Sequence, residues 1–143
     1  MKVVEVRRTI DAPPGKVWAI LTDAKALQSS RLGITRIEGD IAPGSRFKLW
    51  AEVSPDRAFS LRVAECEANR HMVWEGGMPL GLFTGRRHYH LTPAGGGTEL
   101  HIREEFTGLL SGLIWKSMPD LNPAFNQMAD GVKRLAEGGR VEP

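Results

Sequence analysis

Cysteine occurs once in the 143 residues, as Cys66, so an internal disulfide is excluded and a reducing setting, the cytoplasm, is expected. No partner set for thiol catalysis accompanies it, and Cys66 reads as a small strand residue. No run of Lys or Arg exceeds two, and the formal net charge is only +2. A nucleic-acid groove needs a concentrated basic stripe, so nucleic acid is not an expected partner. No window approaches the ~18 apolar residues that span a bilayer, so stable membrane insertion is not expected. The opening Met1-Lys2-Val3-Val4-Glu5-Val6-Arg7-Arg8 alternates in polarity and lacks the apolar core of a signal peptide. Also missing are a phosphate loop, a Ser/His/Asp signature and paired cysteines. Gly95-Gly96-Gly97 lies between strands and reads as a hairpin turn. The acidic residues are scattered without a catalytic pairing, and no cofactor is expected.

What remains is an ordinary globular balance, 41% hydrophobic and 25% charged. The length suits one domain spanning 1–143, able to bury roughly 70% of the surface of its unfolded chain. Val4, Val6 and Ile10 alternate with polar neighbours and predict a strand over 2–10. Asp11-Ala12-Pro13-Pro14 stops it and opens a short helix with Val17, Ile20 and Leu21 on one stripe and Trp18 beside them. Thr22-Asp23 caps a second short helix carrying Ala26 and Leu27. From residue 33 the period becomes two, with strands expected near 34–39, 45–53, 57–67, 71–76, 82–92 and 98–107. The connections between them, including Ser54-Pro55-Asp56, are too short for helical crossovers, so neighbours pair antiparallel. Leu109 to Met118 is apolar and helix-compatible up to a break near Pro119. Asn122-Pro123 then reads as a cap and first turn for a long helix, with Leu121, Phe125, Met128, Val132 and Leu135 on one stripe and Gly138-Gly139 as its stop. The order predicts α+β architecture: a seven-stranded curved antiparallel sheet wrapped around a long C-terminal helix, with two short helices after the first strand.

One helix stripe cannot cover the inner face of seven strands. A sheet of that width curls, and the geometry predicts an internal cavity. On 82–92 the more apolar face carries Phe83, Gly85, Arg87, Tyr89 and Leu91; on 98–107 it carries Leu100, Ile102, Glu104 and Phe106. These faces are expected to point inward. Pairing Leu91 with Leu100 sets Tyr89 against Ile102, Arg87 against Glu104 and Gly85 against Phe106. Arg87 and Glu104 then read either as a self-neutralising structural pair or as polar anchors for a ligand carboxylate, carbonyl or hydroxyl. Tyr89 reads as a wall ring or as a hydroxyl aimed at ligand. Gly85 either enlarges the cavity or relieves a bend. Further lining is expected from Phe47, Leu49, Phe59, Leu61, Val63, Met72 and Trp74, from Phe125 and Met128 on the helix, and from Trp115 near a mouth.

The reading is a carrier or sensor of a hydrophobic small molecule, as a monomer or homodimer. The alternative is a cofactor-free cyclase or dehydratase in the same cavity, with Glu104 or Tyr89 moving protons and Arg87 steadying enolate charge. A metal site is the third reading: His88 and His90 share a strand face, and the register sets His101 opposite His90. That face is expected to be convex, with Arg86 and Arg103 repelling a cation and His71 set aside at a turn, so no metal is expected.

The run Ile10-Asp11-Ala12-Pro13-Pro14-Gly15-Lys16-Val17-Trp18-Ala19-Ile20-Leu21-Thr22-Asp23 resembles the opening of the START/birch-pollen-allergen (SRPBCC) superfamily, and within it the polyketide cyclase/dehydrase and lipid-transport-like branch. Met72-Val73-Trp74-Glu75-Gly76-Gly77, Gly81-Leu82-Phe83-Thr84-Gly85, Gly96-Gly97-Thr98-Glu99-Leu100 and Glu104-Glu105-Phe106-Thr107-Gly108-Leu109-Leu110 agree with it in order. The resemblance covers nearly the whole chain and implies a helix-grip fold with a deep cavity. It transfers no catalytic residue, because the superfamily has no fixed motif. It also implies a fourth reading, an interaction domain like that of the heat-shock co-chaperone. Two departures stand out: Leu27-Gln28-Ser29-Ser30-Arg31 replaces a Trp-Asn-Pro-like element, and Arg87 stands where relatives often carry histidine or another polar residue.

Overall fold

Alternation of buried Val4, Val6 and Ile10 with exposed charges makes Lys2–Ile10 the strand β1. In the computed structural model, which describes residues 1–28 and 31–138, two short helices follow, α1 (Pro14–Leu21) and α2 (Ala24–Gln28). Proline opens α1. The Asp23 carboxylate caps α2 by accepting from the backbone N–H groups of Lys25 and Ala26 at 3.0 and 3.2 Å. Six strands come next: β2 (Ile34–Glu38), β3 (Arg46–Ala51), β4 (Ser54–Glu67), β5 (His71–Met78), β6 (Phe83–Ala94) and β7 (Gly97–Thr107). The helices α3 (Ser111–Ser117) and α4 (Asn122–Ala136) complete the order. Ser29, Ser30 and Gly139 lie outside the described residues, and with them the middle of one expected departure and half of the expected glycine stop.

The strands form one curled antiparallel sheet in the order β1-β7-β6-β5-β4-β3-β2. The β6–β7 register is the expected one, with Leu91 opposite Leu100, Tyr89 opposite Ile102, Arg87 opposite Glu104 and Gly85 opposite Phe106. It is pinned by the Gly95-Gly96 turn, where both residues take positive φ, 54° and 86°; that geometry matches the strand twist of a two-residue hairpin.

Three local expectations are corrected. Ser54-Pro55-Asp56 is strand rather than turn: the reversal falls on Glu52-Val53, and Ser54 already pairs with Ala51. Pro55 is tolerated because it sits near a strand end. Helix α4 includes Asn122 as its first residue, because the Asp120 carboxylate accepts both its backbone N–H (3.0 Å) and its side-chain amide (2.8 Å); the aspartate is the better acceptor for a turn of this kind. His71 is the first residue of β5, paired with His90, and not a turn residue.

Helix α4 packs along β1 and α1 with Phe125, Met128, Val132 and Leu135 buried. Gly131 also lies on its buried face: a Cβ there would sit 2.6 Å from Leu32 Cγ, and Leu32 is fully buried. The glycine gives up about 1 kcal/mol of helix propensity, and Leu32 fills the space this leaves. Gly131→Val is therefore expected to lower stability by about 2 kcal/mol through overpacking. Urea unfolding checks this, and a variant as stable as the parent would show that Leu32 yields freely.

Candidate functional site

Successive rows across the concave face of the sheet place the interior side chains. One row runs Val63, Trp74, Arg87, Glu104, Val4; the row before it runs Phe47, Leu61, Gly76, Gly85, Phe106. The first puts two charges in the middle of an apolar wall, and the second has two glycines at its centre.

Arg87 Nε donates to Glu104 Oε1 at 2.7 Å, with the side chains only 25% and 15% exposed. The guanidinium also lies over the Phe125 ring, 4.4 Å from its centroid, a favourable cation–π placement. Burial works against its charge, but the Glu104 carboxylate and the Tyr89 hydroxyl outweigh burial and hold Arg87 above its ordinary pKa. Tyr89 is fully buried between the Trp74 ring (centroids 4.8 Å apart) and Met128; its hydroxyl donates to Met128 Sδ at 3.5 Å and lies 3.5 Å from Arg87 Nη1. Trp74 stacks edge-on against Phe47 at 5.1 Å, and its buried indole N–H has no hydrogen-bond partner among the described residues. A buried donor left open costs roughly 1–3 kcal/mol, so this one is available to an acceptor.

Burial pushes the Tyr89 phenol up to about 12, against the opposing pull of Arg87. Tyr89 is the chain's one tyrosine, so phenolate absorbance reads it directly. The sign follows from the raised folded value: the stabilisation is whole below the unfolded value near 10 and is lost as pH rises from about 10 to about 12, by up to ~2–3 kcal/mol. The phenolate of the folded protein is expected to appear near pH 12. A midpoint near 10 in protein that remains folded would place the hydroxyl in solvent.

Of the expected lining residues, Phe47, Leu49, Val63, Met72, Trp74, Tyr89, Leu100, Ile102, Phe106, Phe125 and Met128 are buried in one contiguous core. Phe59, Leu61, Phe83 and Trp115 are only partly buried against it. Buried Phe106 links the two groups, with its ring 5.8 Å from Phe83 and 5.5 Å from Trp115. The interior therefore thins toward the Gly76–Gly85 row. Gly85 does not leave a void, since a Cβ there would meet Glu104 Oε2 at 2.7 Å; at Gly76 the same position is met by Leu61 Cδ2 at 2.6 Å. A flexible side-chain end occupies the space above Gly85, whereas above Gly76 the Leu61 end shares it with the Ser60 backbone carbonyl at 2.7 Å. Two open surface concavities are about 580 Å³ along Asp130, Lys133, Arg134 and Glu137, and about 390 Å³ along Arg46, Leu61, Arg62, Glu75 and Gly76, the second touching the glycine row.

Sequence reasoning missed the rim at this end. Leu110 N–H donates to Leu82 O at 2.8 Å, tying the Pro79–Gly81 turn to the segment before α3. Leu80, Leu109 and Leu113 stand 94%, 87% and 70% exposed on these two segments. Gly108, at φ 114°, permits the approach, because a Cβ would strike Leu82 O at 2.5 Å. The signal was present in Leu109-Leu110-Ser111-Gly112-Leu113, an apolar run with no stripe facing it.

On the outer face His101 stands opposite His90 as expected, with the rings 6.1 Å apart, but His71 joins the group. His71 Nε2 lies 3.3 Å from His88 Nδ1, and the His71 ring stacks on His90 with centroids 4.4 Å apart. His101 is also held by Glu5 Oε2 at 2.9 Å. Burial, and then neighbouring imidazoles, hold His71 and His90 below the ordinary histidine pKa.

No curated protein matches the sequence. Among solved structures, the fold is similar to norcoclaurine synthase from Thalictrum flavum, with TM-score 0.74 and 16% identity over 97% of this chain and 95% of that one. It is similar to the Aha1 dimer from Colwellia psychrerythraea, with TM-score 0.74 and 18% identity over 98% and 99%. Protein MLL2253 from Mesorhizobium loti gives TM-score 0.72 and 19% identity over 94% and 96%. These likenesses show the helix-grip fold. Among the described residues no helix is long and apolar enough to cross a membrane. Residues 1–137 match the family described as polyketide cyclase/dehydrase and lipid transport, and the chain belongs to that family.

Proposed function

We propose that the protein holds a hydrophobic small molecule, such as a lipid, polyketide or aromatic metabolite, between the concave sheet and the α3–α4 helices. The observation that carries this reading is the polar cluster in an otherwise apolar wall: the Arg87–Glu104 pair beside the open Trp74 indole N–H. Apolar sites with a few convergent polar groups are how ligands are oriented. The guest's carbonyl, carboxylate or hydroxyl would meet Arg87 and Trp74. Its apolar body would lie over Gly85 toward Phe83, Phe106 and Trp115, displacing the Glu104 end that now covers this glycine. The exposed leucine rim at that end would surround the mouth. Family membership supports the same reading.

Native mass spectrometry of freshly purified protein tests it. A co-purified small molecule, released by Arg87→Ala, is expected. Bare chain in every preparation, together with no uptake of a fluorescent fatty acid, would rule the carrier out. One observation favours catalysis in the same place: Glu104 provides a carboxylate against a permanently charged Arg87, which suits enolate chemistry. Tyr89, held protonated by burial, could serve there as a donor and not as a base. Incubation with poly-β-keto chains separates the two readings, since a carrier leaves the product distribution unchanged.

A further inference from the structure

The outer face of the sheet carries a cluster that the interior site does not use. His71 from β5 and His88 and His90 from β6 offer one nitrogen each, and the three donor atoms lie within 4.8 Å of one another. Stacked contacts join all three rings: His71 to His90 at 4.4 Å, His71 to His88 at 5.6 Å and His88 to His90 at 5.7 Å. The arrangement follows from the sheet itself. His88 and His90 share a face by strand alternation, and the β5–β6 register sets His71 directly opposite His90.

We propose that His71, His88 and His90 form a binding site for a divalent late transition-metal ion of the zinc or copper class. Imidazole suits these ions. Zinc–nitrogen bonds of about 2.0–2.1 Å in a tetrahedral shell put neighbouring nitrogens about 3.3 Å apart. The His71 Nε2 to His88 Nδ1 separation is 3.3 Å, so this pair already stands at the bite the ion requires. The rings are close to parallel, with interplanar angles of 4° to 13°, and their lone pairs converge after rotation about χ2, a broad and soft torsion for histidine. His90 closes the third position by the same rotation, and water completes the shell.

The surroundings fit a cation better than the sequence alone suggests. Arg86 is neutralised by Glu75 and Glu65, and Arg103 by Glu105 and Glu5. His88 also has the outer partner that metal-binding histidines commonly have: its Nε2 lies 3.0 Å from Glu105 Oε1, off the line of a hydrogen bond and with no other partner among the described residues. A small ring rotation aligns that contact, leaving Nδ1 free for the ion and fixing the tautomer. His101 is not a ligand of this site, because it lies outside the group whose donor atoms approach within 4.8 Å of one another.

The test is titration of the full, tagless chain with zinc chloride and, separately, copper chloride, read against a chromophoric chelator. One ion per chain is expected. His71→Ala and His90→Asn are each expected to weaken zinc binding tenfold or more, and Glu105→Gln to weaken it by about 10- to 100-fold, as loss of an outer partner does. His101→Ala is expected to bind like the parent. Circular dichroism confirms that each variant is folded, and the partly exposed positions of the histidines favour this. Zinc uptake that persists in the triple variant H71A/H88A/H90A, or no uptake by the parent, overturns the proposal. So does loss on His101→Ala equal to that on His90→Asn.

Discussion

Glu104→Ala is expected to lower stability by about 3 kcal/mol, more than most single substitutions do. The carboxylate is the only acidic partner of Arg87 among the described residues, at 2.7 Å, and removing it strands a charge that cannot lose its proton. Breaking a buried pair typically costs 3–5 kcal/mol. The lower end applies here because a quarter of the Arg87 side chain is exposed and the Phe125 ring still faces the guanidinium. The double substitution Arg87→Met with Glu104→Leu removes both charges while keeping volume, and is expected to recover most of the loss. Thermal or urea unfolding of the two variants checks the pattern. It also separates the two readings of the pair. A purely structural pair predicts that the double variant binds an amphipathic guest as the parent does. An anchoring pair predicts restored stability with binding lost. If Glu104→Ala proves as stable as the parent, Arg87 has moved to solvent and the cluster is not a buried one.

The arrangement of this pair was legible in the sequence, and the reasons are physical. Glycine at both central positions of the β6–β7 turn sets the hairpin, and a shift of one residue would have turned Tyr89, Leu91, Leu100 and Ile102 outward. Turn chemistry and alternation therefore agree on a single register. The histidines were legible only in part. Strand alternation put His88 and His90 together, but whether His71 belongs to a turn or to β5 depends on a strand boundary, the least certain feature of a sequence pattern. A register shift between Val63 and Glu65 also breaks the simple alternation of β4 and turns Cys66 toward Met72; a bulge of this kind leaves no compositional trace. The two readings of Gly85 stayed open in the sequence for another reason. Periodicity tells which face a residue occupies, but not where a long neighbour such as Glu104 will lean.

Trp74 shows the limit of pattern reading most clearly, because its role turns on one atom. Trp74→Ala is expected to cost about 4 kcal/mol, the range for emptying a large aromatic site, since the ring is buried between Phe47 and Tyr89. Trp74→Phe is expected to cost far less, about 1 kcal/mol. It loses packing volume but also removes an indole N–H that is buried without a partner among the described residues, and an unmet donor of this kind is itself unfavourable by roughly 1–3 kcal/mol. The contrast sharpens when guest is added. If the N–H waits for an acceptor, saturating guest raises the unfolding temperature of the parent and raises that of Trp74→Phe much less, although the two begin nearly equal. Unfolding scans with and without a fluorescent fatty acid measure this directly. Equal shifts in both would show that no guest acceptor reaches Trp74, and would leave Arg87 as the group that orients the ligand.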